Sequence, residues 1–297
     1  MREAPQPSTE TPRQVRRLGV VVHPARMING PLRALRAWAD ANDADVVQIP
    51  VPGQEREVAA WGDAADCDLV LAIGGDGTML AAIRAALGAG RPVLGLACGS
   101  LGVLTAIEAD GLGRALDRFT RGDWTPRRLP ALAIARDGAE EVLAFNDLAV
   151  LRRGIGQVRV TTAVDGVLFS RLAGDGCIVS TPLGSSAYAL AAGGALLTPD
   201  TVAYLLTPLP THGGSRQSLV ISAGSELHLE VTHGIGGARL EIDGQIADTH
   251  PVALTVRWRP DAATLIAFPD QEPLFVSLRR RQIIVDSPRI LADDGRD

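Results

Sequence analysis

The residues best suited to chemistry stand in one short loop, Gly74-Gly75-Asp76-Gly77-Thr78, directly after an apolar run and before a helical pattern. A loop in that setting lies outside the carboxyl end of a strand, where the first N–H groups of the next helix favour anions. Its glycines let the main chain approach phosphate oxygens closely. Asp76 does not belong to a pure phosphate cradle, because its charge repels phosphate. It suits a proton acceptor from a hydroxyl, or a magnesium contact. The same five residues also fit a tight strand-to-helix turn with Asp76 as helix cap.

Two further segments carry groups of this kind. Asn146-Asp147 follows the apolar run 142–145. An adjacent amide and carboxylate can hydrogen-bond the paired hydroxyls of a ribose and the edge of a base, though such a pair after a strand is also an ordinary turn. Residues 174–194 hold Asp175, a hydroxyl-rich turn through Ser180, Thr181, Ser185 and Ser186, and then Tyr188 in a helical stretch over 185–197. Small residues there leave room for a flat ligand. A strand, cap and helix without a ligand would read the same way.

The elements that must hold these groups fall into two kinds. Apolar runs at 18–22, 46–49, 69–73 and 92–96 alternate with helical patterns from Pro31, over 78–87 and over 113–119. That alternation predicts a parallel sheet with helices packed on it. After Thr125-Pro126 the punctuation changes. Runs at 132–135 and 142–145 flank Asp137-Gly138, and runs at 158–164 and 167–169 flank Asp165-Gly166, as tight hairpins do. Further alternating runs at 227–231, 238–242, 252–258 and 264–268 predict antiparallel strands. The expected organisation is therefore a disordered tail (1–16), an α/β domain (17–126), an antiparallel β domain (127–268) and an amphiphilic C-terminal segment (269–297) crossing back to the first domain.

Composition narrows the chemistry. The chain of 297 residues has 29 basic and 34 acidic side chains, which gives no reason to expect nucleic acid as a partner. It contains no lysine, so a phosphate loop ending in Gly-Lys, a kinase strand lysine and Schiff-base chemistry are all excluded. Cys67, Cys98 and Cys177 are too scattered for a zinc site or disulfide framework, and no metal ligands are assigned. With neither a signal core nor an apolar membrane span, a cytoplasmic protein is expected.

Taken together, Gly74 to Thr78, Gly99-Ser100-Leu101-Gly102-Val103-Leu104-Thr105, Asn146-Asp147, Asp175-Gly176 through Ala187-Tyr188, and Asp243-Gly244-Gln245 resemble the NAD kinase family in order and spacing. The resemblance extends over residues 18–278. It implies an α/β domain followed by a β-sandwich, and transfer of a phosphoryl group from ATP or polyphosphate to the adenosine-ribose 2′-hydroxyl of NAD. It further implies a divalent cation carried with ATP and a homo-oligomer. By position, Asp76 resembles the family's proton acceptor, while Gly74, Gly75, Gly77 and Thr78 form the phosphate-donor loop. The implied NAD-binding residues are Gly77, Asn146, Asp147, Asp175, Ser186, Ala187, Tyr188, Ala191 and Gln245. Departures from the family pattern are Asp147 for Glu, Ala97 for Asn, Val103 for Phe, Leu183 and Ser186 for Thr, and Ala173 for Arg. A lipid kinase sharing the glycine loop and a non-catalytic NAD-binding protein of the same fold are the alternatives. No role is expected for His23.

Overall fold

The computed structural model describes residues 14–99, 102–214 and 216–290. These form two compact units, one running to Arg127 and resuming at Ala263, the other comprising Arg128–Ala262. In chain order the first unit contains β1 (Arg17–Val22), α1 (Asn29–Ala41), β2 (Asp45–Gln48), β3 (Leu69–Gly74), α2 (Asp76–Ala86), β4 (Val93–Ala97), β5 (Ile107–Glu108) and α3 (Leu112–Thr120). Strand β6 (Thr125–Arg136) leads into the second unit. There β7 (Val142–Ala144), β8 (Asp147–Arg152), β9 (Val158–Val164), β10 (Val167–Gly174) and β11 (Gly176–Ser180) precede the one-turn helix α4 (Tyr188–Ala191). Then come β12 (Ala203–Pro208), β13 (Leu219–Ser222), β14 (Leu227–Thr232), β15 (Ala238–Ile242), β16 (Gln245–Asp248) and β17 (Ala253–Ala267), with α5 (Leu274–Arg280) back in the first unit.

Within the first unit, β1 pairs in parallel with both β2 and β3, and β3 pairs in parallel with β4. Strands β3 and β4 are buried along their whole length, which is why they read as unbroken apolar runs rather than alternating ones. Leu18, Leu71, Ile73, Leu94 and Leu96 from these strands share one core with Leu35 and Trp38 of α1 and Leu116 and Phe119 of α3. The carboxyl ends of β1, β3 and β4 are thus brought side by side, and the loops that follow them are neighbours.

The second unit is a sandwich. One face is the six-stranded sheet β13-β12-β11-β8-β15-β16, antiparallel throughout. The other includes β10, β9, β14 and the start of β17, with β6 and β7. Leu148, Val150, Val179 and Leu240 of the first sheet pack with Val158, Val160, Leu229 and Val256 of the second. The outer face of the six-stranded sheet is covered by Ala189 of α4 with Leu197 and Leu209.

Several expectations need correction. Of the tail expected over 1–16, residues 1–13 lie outside the described residues, whereas Val15 is 2% exposed and packs into the first core and Arg16 N–H donates to Asp68 Oδ2 at 2.7 Å, so these two residues belong to the fold of the first unit. The runs 252–258 and 264–268 are one strand, β17, since Asp261 takes a left-handed φ of 48° without ending it. The later half of that strand pairs in parallel with β4 through Leu265 and Val93, and so leaves the β domain. The helix expected over 185–197 is a 3-10 turn (Gly184–Ser186) and the single turn of α4, because Ala187 departs from helical dihedrals and Gly193 takes φ 82°. Asp165-Gly166 has both residues at positive φ, as a two-residue hairpin of the twisted kind requires, whereas the Asp137-Gly138 connection widens to residues 137–141.

Leu71 is fully buried in the middle of β3. Leu71→Ala is expected to cost about 2–5 kcal/mol and to lower the unfolding midpoint by roughly 5–15 °C in a thermal melt.

Candidate functional site

In the first unit the glycine loop begins where β3 ends. Gly75 is the N-cap of α2, and Asp76 opens its first turn instead of capping it. Gly74 is obligatory for packing: a Cβ there would lie 2.2 Å from Thr78 Oγ1. The Asp76 carboxylate is clasped from the side by the segment after β4. Val103 N–H donates to Oδ2 at 3.1 Å and Leu104 N–H to Oδ1 at 3.0 Å. Thr105 Oγ1 accepts from Gly102 N–H at 2.7 Å and shapes that segment. A Cβ on Gly102 would fall 2.1 Å from Asp76 Oδ1, so the clasp needs glycine there. Ser100 and Leu101 lie outside the described residues.

Beside this loop stands a residue that sequence reasoning did not single out. Arg26 follows β1, and its Nη1 donates to the Cys98 carbonyl after β4 at 2.5 Å. The guanidinium runs past both glycine turns, 3.5 Å from a Cβ built on Gly75 and 3.4 Å from one built on Gly99. His23, to which no role was given, fixes this segment: its Nδ1 accepts from the N–H groups of Ala25 and Arg26, each at 3.1 Å. Burial, and next the Arg26 charge, hold His23 below its ordinary pKa, in keeping with a neutral acceptor ring.

In the second unit, Asn146-Asp147 enters β8 through a clamp. Asp243, at φ 46° in the β15–β16 turn, accepts from the N–H groups of Phe145 (3.1 Å), Asn146 (2.7 Å) and Asp147 (3.1 Å). Thr181 Oγ1 donates to the Phe145 carbonyl at 2.6 Å, and Gly184 packs so tightly that a Cβ would meet the Asn146 carbonyl oxygen at 1.9 Å. Asp147 is only 6% exposed, and no donor among the described residues reaches its carboxylate. Burial first, then the charges of Asp243 and Glu241, raise its pKa to about 7.

Asp175 and Tyr188 line an open cavity of about 330 Å³ with Leu151, Arg152, Leu209, Pro210 and Arg239. Arg152 Nε pairs with Asp175, and Arg239 Nε with Glu241 at 2.6 Å. Tyr188 is 42% exposed; partial burial, then the charge of Glu241, raises its pKa, and Asp147 and Asp175 act in the same direction. The structure therefore brings Asp147, Asp175 and Tyr188 into one neighbourhood. Ser186 Oγ donates to the Leu183 carbonyl at 2.9 Å, while Ala187, Ala191 and Gln245 are exposed and are not among the residues lining the cavity. Arg152 and Arg239 are cavity residues that sequence reasoning missed, because isolated arginines on strands resemble any wet face. Asp243 was visible within Asp243-Gly244-Gln245, but its clamping role needed the fold.

The family model described as ATP-NAD kinase N-terminal domain matches residues 20–124, and the one described as ATP-NAD kinase C-terminal domain matches residues 146–258. The chain is 31% identical over 226 residues to the NAD kinase of Clostridium beijerinckii, covering 74% of this chain and 79% of that one. It is 40% identical over 171 residues to the NAD kinase of an Acidovorax species, covering 56% of this chain and 57% of the relative. With the NAD kinase of Heliobacterium modesticaldum it shares 38% identity over 182 residues, 60% of this chain and 64% of the relative. The chain thus spans less than two thirds of the length of these last two relatives. Two solved structures share the fold: a yeast NADH kinase complexed with NADH (TM-score 0.75, 18% identity, 93% and 89% coverage) and an Archaeoglobus fulgidus NAD kinase in complex with ATP (TM-score 0.71, 23% identity, 91% and 100% coverage). The architecture is that of an α/β domain joined to a β-sandwich. The chain belongs to the NAD kinase family.

Asp147 yields a pH prediction. An aspartyl pKa raised from 3.8 to about 7 means the folded state keeps a proton that the unfolded state has lost. Stability therefore falls as pH climbs from 4 to 7, and levels off above. Asp147→Asn removes this dependence, so its stability advantage over wild type should grow from near zero at pH 4 to on the order of 2–4 kcal/mol at pH 8. Urea unfolding across that range checks it; parallel curves would contradict the burial argument.

Proposed function

We propose that this chain is an NAD kinase, transferring a phosphoryl group from ATP or polyphosphate to the adenosine-ribose 2′-hydroxyl of NAD and so forming NADP. The observation that carries the reading is Asp76, a carboxylate at the end of β3 held rigidly by two main-chain amides among phosphate-compatible glycines. Phosphoryl transfer needs little covalent help from a protein; positioning and charge stabilisation dominate. Asp76 orients the attacking hydroxyl and takes its proton as the new oxygen–phosphorus bond forms and the bond to the leaving phosphate breaks. The N–H donors fix the carboxylate without using all its lone pairs, so an acceptor site is left for the hydroxyl.

The donor loop is Gly74, Gly75, Gly77 and Thr78, and the divalent cation enters as part of the MgATP substrate. NAD is held by Gly77, Asn146, Asp147, Asp175, Ser186, Ala187, Tyr188, Ala191 and Gln245. The exposed Tyr188 ring supports this assignment: oxidised nicotinamide is a flat cation, suited to an aromatic face. A desolvated acid with no donor among the described residues, Asp147, suits a ribose hydroxyl better than bulk water. A homo-oligomer in the cytoplasm is part of the same reading, in keeping with three free, buried cysteines. Family membership disfavours the lipid kinase, and intact Asp76 disfavours a pure binder.

Incubation with NAD, ATP and magnesium should yield NADP. Asp76→Asn is expected to lower kcat by about 10²–10⁴-fold while NAD affinity stays within a few-fold. Its amide nitrogen would also face a main-chain N–H, so the melting temperature should drop by a few degrees. Turnover within a few-fold of wild type would refute the assignment of Asp76. Melting shifts with NAD but no NADP would identify a binder.

A further inference from the structure

We infer that Arg26 is the protein cation that grips the phosphate chain of the donor. The inference rests on the kinase reading above and adds a residue to it. In a lysine-free chain a permanently charged side chain at a triphosphate has to be arginine, and the choice among its arginines is decided by where they lie and what already neutralises them.

Arg26 sits where open parallel sheets bind ligands, beyond the carboxyl ends of adjacent strands. It comes from the loop after β1, bonds the Cys98 carbonyl after β4, and passes Gly75 at the start of α2. One guanidinium therefore touches the loops of three neighbouring strands. Both residues flanking it, Gly75 and Gly99, lack the side chain that would fill the space beside it. Only Nη1 is committed to the protein; among the described residues no carboxylate pairs with Arg26, and Nε and Nη2 have no acceptor. The cavity arginines differ, since Arg152 and Arg239 are each tied to an acid. An exposed cation fixed at one nitrogen, with the rest of its fork free, is arranged for a bidentate grip on phosphate oxygens.

The support behind Arg26 is built. His23 Nδ1 holds the N–H groups of Ala25 and Arg26, which sets the direction in which the side chain leaves the loop. Arg56 Nη1 donates to the Arg26 carbonyl at 2.7 Å, bracing the same turn and adding a second positive charge nearby. Immobilising the main chain in this way lowers the entropy lost when the guanidinium closes on a ligand.

The test compares wild type, Arg26→Ala and Arg26→Lys. Arg26 is exposed, so all three should fold, with melting temperatures agreeing to about 2 °C. Arg26→Ala is expected to raise KM for ATP by roughly 10- to 100-fold and to leave KM for NAD within twofold, with Arg26→Lys recovering part of the loss. Inorganic tripolyphosphate, titrated calorimetrically, should bind wild type and lose affinity in Arg26→Ala by a similar factor, since Arg26 reads phosphate and not the base. KM for ATP within twofold, an effect confined to NAD, or no binding of tripolyphosphate to wild type would each overturn the inference. If wild type makes no NADP but binds tripolyphosphate through Arg26, the kinase reading fails and the phosphate site stands.

Discussion

The clasp on Asp76 is the constraint from which the site in the first unit follows. A carboxylate at the start of a helix, among glycines, would otherwise sample several rotamers and repel the phosphates it is meant to serve. Two amides from the segment after β4 confine it to one direction and offset part of its charge. That arrangement depends on the parallel pairing of β3 with β4, which sets the two loops side by side, and on the bare Cα of Gly102. The same adjacency lets Arg26 reach across from β1, so one packing decision in the sheet positions both an anion and a cation.

The second unit uses a related device. Asp243 gathers three consecutive main-chain N–H groups at Phe145, Asn146 and Asp147, and so fixes the entry to β8. The Asp243 charge, second to burial, works against ionisation of Asp147 close by. In each unit, then, main-chain amides anchor one acid. In the second, the anchored acid adds to the burial that holds its neighbour's pKa up. Asp147 sits in that field and away from water.

Much of this was legible in the residues themselves. Continuous apolar runs at β1, β3 and β4 gave away the parallel sheet because strands buried on both faces cannot alternate. Asp165-Gly166 gave away a hairpin because both residues must take positive φ. Other features were hidden for physical reasons. Pro260 and Asp261 look like a break, yet β17 runs through them, since a left-handed residue can be absorbed within a long strand. The helical spacing after Ser185 predicted a long helix that Gly193 and an inward Ser185 hydroxyl, bonded to Leu197 N–H at 2.9 Å, cut short. Arg26, Arg152 and Arg239 carried no spacing signal, because only tertiary contacts distinguish a poised guanidinium from a solvated one.

The most direct measurement is steady-state NADP formation by Gly102→Ala, compared with its melting temperature. Gly102 does not need glycine for its backbone dihedrals, and the three atoms nearest the added methyl all belong to the Asp76 carboxylate. The carboxylate can swing away, leaving its two amides, and the protein should still fold with a melting temperature lower by a few degrees. A stable protein with kcat reduced by about 10²-fold or more is the predicted result. A stable protein with kcat within twofold of wild type would contradict the account.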